Sequence, residues 1–168
     1  MTRWTTALIL AAVVTSGNAQ VQSGALAGIL KKEDPAELYV EFDLTSKGGT
    51  CRADFEEIVE TEFARLRLKR AAELSINELF LRVGIGTVDL TGESGLTACM
   101  YSVDIGFGET LYIRENPVTV RYASAPGFRS DFRFGLAWHP GAQTRIESDL
   151  RELLRKALAA YMDANFSP

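Results

Sequence analysis

The chain has 168 residues, 18 of them basic and 22 acidic, with one histidine, two cysteines and a formal net charge of -4. That length fits one hydrophobic core and gives no room for several. The mild acidic excess excludes a general nucleic-acid binder, whose affinity rests on a basic face.

The chain begins with a short basic start at Arg3, an apolar run from Ala7 to Val14 and the small triplet Gly17-Asn18-Ala19. These are the three parts of a secretory signal peptide, and they predict cleavage after Ala19. The apolar run falls short of the roughly 20 residues that a membrane-spanning helix needs, and no cysteine follows it to accept a lipid. Residues 1–19 are therefore read as signal peptide, 20–36 as a flexible leader that ends at the Asp34-Pro35 turn signal, and 37–168 as a single α+β domain. A periplasmic or secreted protein without a stable membrane span is expected.

The first strand is predicted in "LYVEFDL", where Leu38, Val40, Phe42 and Leu44 alternate with Tyr39, Glu41 and Asp43. A helix is predicted from Cys51 to about Glu73, capped by Thr50, with Phe55, Ile58, Val59, Phe63 and Leu66 on one face. Its acidic start and basic end, including Arg67, Lys69 and Arg70, match the helix dipole. A third element has Leu79, Leu81, Val83 and Ile85 in alternation. The apolar phase then shifts to Val88 and Leu90, which predicts a bulge at Gly84 and Gly86. After a hairpin turn at Gly92 to Gly95, Cys99, Tyr101, Val103, Ile105 and Phe107 share one strand face. Leu111 to Ile113 extends the sheet, and Val118 to Tyr122 reads as strand.

In "DFRFGLAWH", Phe132, Phe134, Leu136 and Trp138 alternate with Asp131, Arg133, Ala137 and His139, which predicts that the phenylalanines face the core. The closing helix has a capping-box candidate at Thr144 and Glu147. Its stripe comprises Ile146, Leu150, Leu153, Leu154, Ala157, Leu158, Tyr161 and Met162. The order βαββββα predicts a two-layer α+β sandwich, a mainly antiparallel sheet of about five strands covered by two amphipathic helices. This order is similar to that of small envelope assembly and transport-accessory domains, a likeness of fold from which no function follows.

In an exported chain, Cys51 and Cys99 are expected to be joined, because an oxidising compartment favours the disulfide over free thiols. A zinc site made from His139 and both cysteines would need the thiolates that the disulfide removes, so no metal or other cofactor is assigned. His139 has no nucleophile-elbow or metal-spaced partner. The carboxylates Glu56, Glu57, Glu60, Glu147, Asp149 and Glu152 read as solvated helix faces. "VGIGTVDLTG" lacks the continuation of a dinucleotide fingerprint.

The stretch "VRYASAPGFRSDFRF" interleaves arginines and aromatics, a composition favoured at recognition surfaces. Arg121, Phe128, Arg129 and Arg133 are the binding candidates. The leading expectation is a non-enzymatic exported protein that binds an envelope protein or ligand. A small hydrolase using carboxylates and His139 is the alternative, and an oligomer subunit assembled through the last helix is a third.

Overall fold

The computed structural model describes residues 28–47, 51, 55–75, 78–93, 95–113, 116–121 and 131–167. The elements are β1 (Glu37–Lys47), α1 (Phe55–Leu66), β2 (Lys69–Arg70), β3 (Leu79–Thr91), β4 (Thr97–Ile113), β5 (Asn116–Arg121), β6 (Asp131–Trp138) and α2 (Ala142–Phe166). They form an α+β fold in which both helices pack on one face of a mixed sheet, with the two-residue β2 at its edge. The order βαββββα is as expected.

Two pairings differ from an antiparallel sheet: β1 runs parallel to the short β2, and parallel to β3 with Tyr39 opposite Phe80 and Lys47 opposite Val88. The intervening helix α1 explains them, because two parallel neighbours need a crossover connection and a helix supplies one. From β3 onward every pairing is antiparallel.

The helix-facing side of the sheet carries Leu38 and Val40 of β1, Leu79 to Ile85 of β3 at odd positions, and Cys99, Tyr101, Val103, Ile105 and Phe107 of β4. Against them α1 packs Ile58, Val59 and Phe63. The predicted stripe of α2 is buried from Ile146 through Tyr161, with Met162 partly buried. Each such side chain contributes roughly 1.5 to 3 kcal/mol on burial. That stripe is spent on the core.

Three local expectations are corrected. The helix predicted to reach Glu73 stops at Leu66. Arg67 takes a left-handed backbone (φ 60°), its N–H donates to Ala64 O at 3.1 Å, and the Leu68 N–H donates to Phe63 O at 3.0 Å. This is a Schellman ending built without its usual glycine, so the sequence carries no visible stop signal. The second correction concerns β3, which keeps one unbroken register with both neighbours, without the bulge expected at Gly84 and Gly86. The shift in apolar phase has another cause: Thr87 occupies the helix-facing side, buried, with its hydroxyl bonded to Ser46 Oγ at 3.1 Å. Third, α2 begins at Ala142 with Gly141 at the N-cap. Thr144 therefore lies inside the first turn, and Glu147 accepts from Gln143 Nε2 at 2.8 Å instead of closing a capping box.

Residues 28–36 of the predicted leader are described. They are tied to the end of α2: Lys32 N–H donates to Asn165 Oδ1 (2.9 Å), Asn165 Nδ2 donates to Leu30 O (2.8 Å), and Tyr161 donates to Pro35 O (3.0 Å). Burial, with Asp34 and Glu78 nearby, pushes the Tyr161 hydroxyl up to about 12. The predicted signal peptide, residues 1–19, and the rest of the predicted leader lie outside the described residues.

Candidate functional site

The position of β6 differs from the sequence expectation in the way that matters most for function. Phe132, Phe134, Leu136 and Trp138 do not face the core; they are 58%, 65%, 54% and 59% exposed. The opposite set, Arg133, Gly135 and Ala137, faces the helices. Ala137 is buried, and Arg133 reaches Glu152 of α2 at 2.7 Å.

The reason is volume. The Tyr101 ring of β4 lies over Gly135 so closely that a Cβ there would sit 2.6 Å from its Cζ and hydroxyl. The Tyr101 hydroxyl in turn donates to the buried Asp149 of α2 at 2.6 Å. Burial first, and the Asp149 carboxylate next, raise the Tyr101 hydroxyl above its ordinary value. A phenylalanine at position 135 would have nowhere to go.

Because Ala98 lies opposite Trp138 and the His139 N–H donates to Thr97 O at 3.1 Å, the odd-numbered residues of β6 aim their backbone groups at β4. The even-numbered residues therefore aim theirs at the outer edge. Among the described residues no strand pairs with that edge. The same four residues thus combine exposed apolar side chains with a strand edge on which no described strand pairs. At the 150 to 250 Å² typical of large aromatic side chains, more than half exposed, the four present roughly 400 to 500 Å² of apolar surface, within the roughly 300 to 600 Å² of the largest apolar patch on an ordinary monomer, a patch that is often functional.

The open face changes character across the sheet. Next to Phe132 lies Asp104 of β4, and Arg82 of β3 holds both Asp104 (2.8 Å) and Asp43 of β1 (2.9 Å). Toward β5, Phe80 lies against Gly108, whose missing side chain makes space for the ring. A polar half thus borders an apolar half. At the other sheet edge a shallow groove of about 600 Å³ runs past Tyr39, Phe63 and Leu68. Of its two cations, Lys69 and Arg70, the second is engaged: the Arg70 guanidinium stands 5.0 Å over the Phe42 ring and 3.3 Å from Glu60.

Of the predicted binding residues, Arg121 pairs opposite Gly108 at the end of β5, while Phe128 and Arg129 lie outside the described residues. Arg133 is on the helix side, away from the apolar stripe. There its guanidinium meets Glu152 of α2 at 2.7 Å. The strands β5 and β6 follow one another along the same edge of β4, with Arg121 opposite Gly108 and Asp131 opposite Ile105. The stripe itself was missed by sequence reasoning. The available signal was Gly135 and Ala137, since a supposedly polar set containing glycine and alanine is a set with room for a neighbour.

Cys51 and Cys99 form the expected disulfide, with Cα atoms 5.9 Å apart, and both are buried. His139 Nε2 lies 3.9 Å from Cys99 Sγ. Such a bond marks a chain that folds in an oxidising, extracytoplasmic compartment. Among the described residues no helix is long and apolar enough to cross a membrane.

Four helix carboxylates are engaged structurally. Glu152 holds Arg133, Glu60 holds Arg70, and Asp149 takes Tyr101 with Arg145 at 3.5 Å. Glu62 is 1% exposed and joins the helices, accepting from Arg155 Nη2 (2.7 Å) and Arg65 Nε (2.8 Å), with Arg151 at 3.9 Å. Burial alone would raise its carboxyl; the hydrogen bonds and charges of Arg155 and Arg65 outweigh that and hold it below the usual range. The basic outer face of α2 around Arg151 and Arg155 is thereby committed to an internal partner.

No family model matches this chain, and no curated protein matches it in sequence. Among solved structures it is similar to a minor lipoprotein from Acinetobacter baumannii at 12% identity, with 77% of this chain and 92% of that one covered and a TM-score of 0.33. That distance transfers no role from one protein to the other.

Proposed function

We propose that the protein is a soluble, non-enzymatic binding or accessory protein of the cell envelope, and that it receives an extended apolar segment of a partner on β6. The observation that carries this reading is the coincidence, on Phe132, Phe134, Leu136 and Trp138, of exposed apolar side chains with a strand edge on which no described strand pairs. An added strand would gain main-chain hydrogen bonds from the even-numbered residues, while its alternate side chains pack on the stripe. Natural proteins blunt exposed apolar edges unless they use them. The signal-peptide pattern of residues 1–19 and the disulfide support the envelope as the compartment.

Site-specific photo-cross-linking in the native envelope tests it. A benzophenone amino acid at position 134 is expected to give one discrete product, and the same group at the exposed Ala159 of α2 none. Adding Phe132→Glu and Leu136→Glu should abolish the product at position 134. Equal products from both positions, or a product indifferent to the two glutamates, would remove β6 as the docking strand.

A further inference from the structure

We propose that reduction of the Cys51–Cys99 disulfide converts this corner of the fold into a three-ligand site for zinc, made by the two thiolates and His139. The proposal is independent of the docking role of β6. The Sγ atoms of Cys51 and Cys99 and a ring nitrogen of His139 all lie within 4.8 Å of one another. They come from three separate places: Cys51 from the segment ahead of α1, Cys99 from the start of β4 and His139 from the residue that follows β6.

The spacing matches the metal. With bonds of about 2.3 Å to sulfur and 2.0 to 2.1 Å to nitrogen, tetrahedral zinc holds a sulfur and a nitrogen roughly 3.6 Å apart and two sulfurs roughly 3.8 Å apart. His139 Nε2 already stands 3.9 Å from Cys99 Sγ. The sulfurs, about 2 Å apart in any disulfide, need only separate by somewhat under 2 Å, which side-chain rotation supplies across Cα atoms 5.9 Å apart. The imidazole is positioned from its backbone, since the His139 N–H is bonded to Thr97 O. Both cysteines are buried and His139 is exposed, so the cation would sit at the surface end of the cluster. Three protein ligands leave the fourth position for water, as in zinc sites that are not closed.

The chemistry balances with a dithiol as reductant. Thiol–disulfide exchange turns the protein disulfide into two thiols and the dithiol into its own disulfide. Zinc then binds two thiolates and a neutral imidazole, and the two thiol protons are released. The oxidised protein has no thiolate to offer, so metal binding is gated by redox state. In either state the same residues join the segment before α1 to β4, by a covalent bond in one and by a cation in the other.

The test uses the full mature chain, reduced with a phosphine under anaerobic conditions and titrated with cobalt(II) as a spectroscopic stand-in for zinc. The expected result is a saturable one-to-one complex with tetrahedral ligand-field bands and a sulfur-to-cobalt charge-transfer band, displaced by zinc. Oxidised protein should show none of these. His139→Ala should keep the charge-transfer band but weaken affinity at least tenfold, whereas Cys51→Ser should lower the band's intensity as well. Zinc should raise the thermal midpoint of the reduced chain and leave that of the oxidised chain unmoved. If the reduced chain proves unfolded, zinc must restore its native circular dichroism, and failure to do so overturns the proposal. Absence of a one-to-one complex at micromolar cobalt, or equal affinity in His139→Ala and the unaltered chain, also overturns it.

Discussion

Replacing Gly135 by alanine tests the orientation of β6, on which the candidate docking surface depends. The new Cβ would lie 2.6 Å from Tyr101 Cζ and hydroxyl and 2.7 Å from Cε1, where ordinary contacts begin about 1 Å further out. The ring must therefore move, and it is buried and pinned by the 2.6 Å hydrogen bond to Asp149. Overpacking costs roughly 1 to 3 kcal/mol, and losing a hydrogen bond to a charged partner roughly 1.5 to 3. Alanine returns about 0.5 to 1 kcal/mol through reduced backbone freedom in the unfolded chain. The net expectation is a loss of roughly 2 to 5 kcal/mol, a large part of the 5 to 15 typical of a domain. Phe134→Ala is the control, on the same strand but facing outward; it should cost under about 0.5 to 1 kcal/mol. Urea unfolding followed by circular dichroism reads both. A Gly135→Ala variant that also carries Tyr101→Leu should lose less than the two single changes combined, because the ring that collides is gone. A mild effect of Gly135→Ala together with a loss of 3 to 5 kcal/mol for Phe134→Ala would mean that the aromatics face inward, and would refute the argument.

Three other outcomes are expected. Cys51→Ser and Cys99→Ser should lower stability by similar amounts, up to roughly 4 kcal/mol in the chain-entropy model for a separation of 48 residues, and the unreduced protein should take up no iodoacetamide label. Glu62, held below its ordinary value, stabilises the fold above its unfolded value near 4.5 and loses that contribution as pH falls through its folded value. Urea midpoints should thus decline in acid, and less steeply in Glu62→Gln, which at neutral pH should lose roughly 1 to 3 kcal/mol. Arg67→Gly relieves a left-handed backbone at a non-glycine residue and should raise the thermal midpoint by the equivalent of about 0.5 to 1 kcal/mol.

The alternation of β1, the buried stripe of α2, the element order and the pairing of the two cysteines were legible in the residues alone. These follow from periods of 2 and 3.6 residues, which are properties of the local backbone, and from compartment chemistry. Where an outcome depended on what stands opposite, the sequence was silent or misleading. Alternation divided β6 into two sets, but only the Tyr101 ring over Gly135 and the reach of Arg133 to Glu152 decided that the aromatic set faces outward. The stop of α1 at Leu66 rests on Arg67 accepting a conformation that propensity assigns to glycine. The parallel pairing of β1 with β3 and the approach of His139 to the disulfide likewise join segments distant in the chain. A strand's period is written in its own residues, whereas the side that has room for large side chains is set by the layer packed against it.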